Sequence, residues 1–144
     1  RSYEVRSNFH RKIMTDSIFT KIIKGEIPCH KIEENEHFIA FLDIMPLKKG
    51  HTLVVPKVQV DYIFDLENQT LGDLMIFAKK VAKKIEAAIP CERIGVAVIG
   101  LEVPHAHVHL IPLVGISDID FSQPKLNLSQ QELKEVALQI NAAK

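Results

Sequence analysis

Three histidines at alternate positions are the residues of this sequence best suited to chemistry. His105, His107 and His109 lie within five consecutive positions, although the chain of 144 residues holds only seven histidines. Because alternate side chains of a β-strand share a face, the pattern predicts three imidazoles on one face and the intervening apolar residues in the core. An imidazole is partly neutral near pH 7, so such a face suits nucleophilic or acid–base work.

Three interpretations of this face are open from the residues alone. A solvated strand face that happens to be rich in histidine explains little, since Thr, Lys or Glu would serve as well. A metal site is the second, because neighbouring imidazoles lie about 7 Å apart, although the outer pair is separated by roughly 13 Å. In the third, one neutral imidazole is a nucleophile and its neighbours supply donors and protons. We favour the third.

Composition narrows the classes of function. The chain has 18 basic and 18 acidic side chains and a formal net charge of zero, so nothing electrostatic favours a nucleic acid or an anionic membrane as partner. Apolar residues make up 47% and charged residues 25%, which is typical of a globular protein. The only cysteines, Cys29 and Cys91, are far apart in the sequence. We therefore expect a cytoplasmic protein.

The elements that must position the histidines do not alternate regularly. Apolar runs bounded by Gly, Pro or Asn predict β-strands at residues 31–33, 37–43, 52–55, 94–99 and 107–112. Helical spacing predicts a short helix capped by Asp16 or Ser17 and a long helix over residues 68–89. A capping box from Ser129 to Glu132 predicts a final helix. Strands and helices in this order predict an α+β fold.

The first thirteen residues differ in character from the rest of the chain. Residues 1–13 carry four basic residues and one acidic residue, and they stop at Met14. We interpret them as an N-terminal extension, vector-derived or from a mis-set start, ahead of one domain over residues 14–144. A basic arm that binds nucleic acid is the alternative, but no aromatic interleaving supports it.

Several segments resemble the histidine-triad family. Residues 105–111, HAHVHLI, match its signature H-φ-H-φ-H-φ-φ, where φ is apolar. Residues 18–28, IFTKIIKGEIP, resemble the family's opening segment, and residues 41–46 and 50–57 resemble its middle block. The likeness spans about residues 14–112 and is nearest to the small nucleoside phosphoramidases. It implies a central antiparallel sheet with one long helix and a C-terminal helix, and a homodimer with the long helix and last strand near the two-fold axis.

The resemblance also implies the reaction. It is hydrolysis of nucleoside 5′-phosphoramidates or related AMP conjugates, in which His107 attacks the α-phosphorus and forms a nucleotidyl-histidine that water cleaves. His105 and His109 would bind the α-phosphate and assist proton transfer to the leaving group. His51 would support the nucleophile's side of the pocket, and Asp43 would accept the ribose hydroxyls.

Apolar walls and a loop complete the implied site for a purine nucleotide such as AMP. The family positions that surround the base correspond to Ile18, Phe19, Ile22, Phe41 and Ile44. Gly100 and Val103 belong to the loop before the triad, whose backbone N–H groups would serve the phosphate.

The chain departs from the family pattern in two places. Leu101 and Glu102 stand where relatives usually carry Gln and Ser, so a hydroxyl that contacts phosphate is replaced by a carboxylate. Some relatives have a zinc-binding Cys-x-x-Cys in the opening segment, whereas Ser17 and Thr20 occupy those positions here. Hydroxyls are poor zinc ligands, so we expect no metal and no other cofactor.

Other functions are also open. A dinucleoside polyphosphate hydrolase would use the same chemistry with a different leaving group. A second alternative is a nucleotide-binding adaptor with little turnover. Leu101 and Glu102, in place of the usual Gln and Ser, give this alternative some support. A metal-dependent hydrolase is more distant, and full activity in EDTA would exclude it.

Overall fold

The computed structural model describes residues 15–143, and the extension proposed for residues 1–13 lies outside them. Three α-helices occur in this part of the chain: α1 (Ile18–Ile23), α2 (Asn68–Ala88) and α3 (Gln130–Ala142). The strands are β1 (Lys31–Glu34), β2 (Phe38–Leu42), β3 (Thr52–Pro56), β4 (Arg93–Ala97) and β5 (Val108–Leu113). No helix within residues 15–143 has both the length and the hydropathy needed to cross a membrane.

The five strands form one antiparallel sheet in the order β1-β2-β3-β5-β4. The strand β5 is therefore internal, and His109 pairs with Leu53 of β3 on one side and with Ala97 of β4 on the other. This architecture confirms the predicted α+β fold with a central antiparallel sheet. The strand at the edge of the sheet nearest the three histidines is β4. The last strand in the sequence, β5, lies inside the sheet.

The two faces of the sheet are covered by different helices. The long helix α2 and the C-terminal helix α3 pack on one face, in an apolar cluster that includes Ala106, Val108 and Leu110. The short helix α1 covers the other face, where Phe19 packs on Phe41. Since successive strand residues point to opposite faces, His109 lies on the α1 side. The predicted core positions between the histidines are confirmed.

Most predicted boundaries hold within two residues. The capping box of α3 is confirmed, since the Ser129 hydroxyl accepts from the Glu132 N–H at 3.1 Å and Glu132 Oε1 accepts from the Ser129 N–H at 2.9 Å. Ser17, not Asp16, caps α1. The strand β5 begins at Val108, one residue later than predicted, so two of the three histidines precede it.

Candidate active site

The backbone holds His107 in one tautomer. Its Nδ1 lies 2.8 Å from the carbonyl oxygen of His105, and a carbonyl can only accept, so Nδ1 carries the proton and Nε2 keeps its lone pair. Burial lowers the pKa of His107 from its ordinary value of 6.5, and the residue is therefore neutral at pH 7. A neutral imidazole with a free Nε2 can attack an electrophilic phosphorus.

His105 lies behind His107, and both of its ring nitrogens are occupied. Nε2 donates to the Pro56 carbonyl at 2.7 Å, which leaves Nδ1 to accept from the Ser17 hydroxyl at 2.7 Å. The contact of this side chain with the phosphate stays a prediction; the His105 side chain is buried and is not among the residues that line the cavity described below. In this arrangement His105 positions His107 through its carbonyl oxygen.

A hydrogen-bond network occupies the positions where some relatives carry cysteines. Thr20 Oγ1 donates to Gln59 Oε1 at 2.6 Å, and the Ser17 N–H donates to the same oxygen at 2.9 Å. The Ser17 hydroxyl is in turn bonded to His105. Two hydroxyls, an amide and an imidazole do not fit a structural zinc. Hydrogen bonds, and not metal ligation, hold His105 here.

His51 and His109 form a second pair. The Leu47 N–H donates to His51 Nδ1 at 3.0 Å, so the proton of His51 is on Nε2, which donates to His109 Nδ1 at 2.9 Å. His109 therefore carries its own proton on Nε2. Burial lowers the pKa of His51 to about 3 and that of His109 to about 4. With its ring centroid 4.9 Å from that of His107, His109 offers a hydrogen-bond donor beside the His107 ring.

Asp43 lies next to this pair, and by distance alone the three residues can hold a cation. One ligand atom from each of Asp43, His51 and His109 lies within 4.8 Å of the others, and Asp43 Oδ2 is 3.6 Å from His51 Nε2. That Nε2 carries a proton, however, because the Leu47 N–H occupies Nδ1. A metal ligand must offer a lone pair, so this donor set does not fit a metal ion unless the Leu47 hydrogen bond breaks.

The histidines open on a cavity of about 280 Å³, close to the lower limit of roughly 300 Å³ for small-ligand pockets. His107, His109 and Asp43 line it together with residues 99–103. That loop contains Gly100 and Val103, and both of these positions, which the sequence analysis assigns to the phosphate, line the cavity. Gly100 has a φ of +75°, in the left-handed region that glycine adopts without strain.

The chain matches a model of the HIT domain, the histidine-triad domain, over residues 24–115. It belongs to the HIT family. The chain is 34% identical over 131 residues to an adenosine 5′-monophosphoramidase of Schizosaccharomyces pombe, covering 87% of this chain and 96% of that protein. It is 41% identical over 97 residues to an adenosine 5′-monophosphoramidase of Saccharomyces cerevisiae, covering 66% and 61%.

A solved structure agrees with the HIT fold. A HIT-like protein from Bartonella henselae matches with a TM-score of 0.77 at 32% identity, covering 90% of this chain and 97% of that one. These comparisons confirm the family that the sequence resembled.

The apolar positions that the HIT resemblance assigns to the base are not among the residues lining the cavity. Phe19 and Phe41 are buried, and the Phe19 ring meets the His107 ring edge to face at 4.9 Å. Ile22 packs partly buried on the same cluster. Ile18 and Ile44 are exposed, so their side chains are accessible to a ligand.

Met45, Ile99, Phe121 and Lys125 line the cavity of this HIT site and were missed from the sequence, and the last two come from a separate loop. Phe121 and Lys125 line the cavity, and the Phe121 ring packs against the rings of His109 and His51 at 4.8 and 6.1 Å. They lie in a segment without periodicity, and the only signal was a cluster of Ser, Asp and Pro that is typical of any loop.

Proposed function

We propose that this protein binds purine nucleotides and hydrolyses nucleoside 5′-phosphoramidates or related AMP conjugates. One observation carries the proposal: His107 lines the cavity while its Nδ1 is held by the His105 carbonyl, so that Nε2 keeps its lone pair. The relatives named adenosine 5′-monophosphoramidases support the same chemistry.

The proposed reaction has two displacements at phosphorus. The lone pair of His107 Nε2 attacks the α-phosphorus, the P–N bond to the leaving group breaks, and the departing nitrogen takes a proton from a water molecule. The N–H of His109 Nε2 donates a hydrogen bond to the phosphoryl oxygens during the displacement and keeps its proton. The hydroxide left from that water attacks the nucleotidyl-histidine and breaks the bond to His107, which releases a nucleoside monophosphate. The neutral imidazole of His107 suits the attack at pH 7.

The nucleoside is proposed to lie along Asp43 and α1. Asp43 lines the cavity, and although one of its oxygens accepts the Met45 N–H at 2.9 Å, a carboxylate has further lone pairs for ribose hydroxyls. Ile44, the next residue, leaves 60% of its surface exposed. Ile18 is exposed too, so both side chains are accessible to a purine, while Phe19, Ile22 and Phe41 belong to the buried cluster on the α1 side of the sheet.

Incubation with adenosine 5′-phosphoramidate should release AMP in the presence of EDTA, with a higher kcat/KM than for a diadenosine polyphosphate. Steady-state rates from chromatographic separation of the products check this. Faster cleavage of the dinucleotide would contradict the phosphoramidase preference. Tight AMP binding without release, even in a single turnover, would instead indicate a binding protein.

We also propose a homodimer that closes over the β4 edge. Val96 and Val98 are exposed in and just after this edge strand. With Phe64 and with Met75 of α2 they line an apolar groove of about 610 Å³ that reaches His107. An uncovered apolar edge strand is a template for aggregation, and a second copy of the chain would cover it.

Light scattering after size exclusion should give twice the mass of one chain. Val96→Lys places a charge on the edge strand, where Val96 is 51% exposed, and should shift the protein to the mass of one chain. The matched control is Leu138→Lys on α3, where Leu138 is 59% exposed, and it should leave the dimer intact. Wild-type protein at the mass of one chain would refute the dimer.

A further inference from the structure

The charges around the cavity do not favour an anionic ligand. Asp43 and Glu102 contribute two carboxylates to its wall. Among the described residues that line the cavity, Lys125 is the one that carries an ammonium group. The four site histidines add no charge at pH 7, because burial lowers the pKa of each. Without Lys125 a nucleotide phosphate would meet two formal negative charges and no cation, which opposes binding.

The ammonium of Lys125 is held on the His109 side of the cavity. Its Nζ donates to the Phe121 carbonyl at 2.8 Å and lies 5.8 Å from the centroid of the Phe121 ring. That ring packs edge to face on His109, with centroids 4.8 Å apart. An ammonium has three N–H donors, so two are left for a ligand beside the His109 donor.

The chain on both sides of Lys125 is tied down. The next residue, Leu126, donates its N–H to the Pro46 carbonyl at 2.8 Å. Upstream, Asp120 Oδ1 accepts from the Ser122 N–H at 2.9 Å and from its hydroxyl at 2.6 Å. Less conformational freedom is lost when such a side chain binds, because its backbone is already ordered. This ordering distinguishes Lys125 from an ordinary surface lysine.

We propose that Lys125 is a phosphate-binding residue, whose ammonium contacts the non-bridging oxygens of the nucleotide's α-phosphate from the His109 side. The choice of ligand rests on the proposed function. The positive charge of Lys125 offsets the negative charge of Glu102. Residues 99–103, the loop that lines the cavity, offer no side-chain hydroxyl to the phosphate. The charge of Lys125 also adds, after burial and His107, to the lowering of the pKa of His109, as expected for an ammonium close to that ring.

The test compares AMP with adenosine, which lacks the phosphate, by calorimetric titration. Lys125→Met should raise the Kd of AMP about tenfold, the effect of one charge-assisted hydrogen bond, and leave the Kd of adenosine unchanged. Lys125→Arg should retain most of the AMP affinity. Glu102→Gln should tighten AMP binding, and Lys134→Met, on α3, is the charge-matched control that should change neither ligand.

Two outcomes would overturn the assignment: an unchanged Kd of AMP in Lys125→Met, or an equal loss of affinity for AMP and adenosine. Raising the ionic strength should shrink the difference between wild type and Lys125→Met, because salt screens the charge. The titration requires no turnover, so it is separate from the test of the proposed function. Wild type that binds AMP through Lys125 but releases none from the phosphoramidate would contradict the hydrolase alone.

Discussion

Replacing His107 with alanine or glycine should lower AMP release from adenosine 5′-phosphoramidate by about 10⁴-fold or more. The proposed covalent bond forms at His107 Nε2, and the other imidazoles of the site cannot take over. Both nitrogens of His105 are bonded to protein groups. His109 accepts from His51 at Nδ1 and carries its proton on Nε2, so neither presents a lone pair to the cavity.

Single-turnover release of AMP, measured beside AMP affinity, separates loss of chemistry from loss of folding. Both His107 variants should still bind AMP, because the groups proposed for the ribose and the phosphate are retained. His37→Ala, which removes an exposed histidine outside the site, is the matched control and should behave as wild type. Unchanged release in the His107 variants would refute the nucleophile and assign the chemistry to another base or to a metal, which EDTA would then test.

The sequence predicted the histidine cluster but not how His105 and His109 divide their work. Period-two alternation is a local property, so it placed Val108 and Leu110 in the core correctly. The orientation of His105 depends on Ser17 and Pro56, which come from distant segments of the chain. No local pattern encodes such contacts, and the tautomers of the histidines follow from them.

The same reason explains why Lys125 and Phe121 were missed. Helices and strands leave a periodic record in the sequence, and the long helix and the sheet were predicted from it. The segment that holds Lys125 is ordered by single contacts, such as the bond from the Leu126 N–H to the Pro46 carbonyl. The wall of the cavity on that side is therefore a product of tertiary structure.

Acid should destabilise the protein through the buried histidines, beginning near pH 6.5. Their folded-state pKa values are lowered, to about 3 for His51 and about 4 for His109, whereas the unfolded chain protonates near 6.5. Below pH 6.5 unfolding takes up protons, so stability is complete above that pH and is lost as pH falls. Each such histidine costs about 1.4 kcal/mol per pH unit, and these two together about 5 kcal/mol by pH 4.5.

Urea unfolding at pH 7.5, 6.0 and 5.0 measures this loss. Carboxylates with lowered pKa values, such as Glu33 and Glu34, lose their contribution to the free energy of unfolding only below about pH 4.5. Burial raises the pKa of Asp43, so its contribution grows as pH falls, and a loss of stability in this window comes from the histidines. His51→Gln should flatten the dependence, because an amide does not titrate. A free energy of unfolding that is constant from pH 7.5 to 5.0 would contradict buried neutral histidines. Such a result would also argue against a His107 imidazole that stays neutral, with a lone pair on Nε2, below pH 6.5.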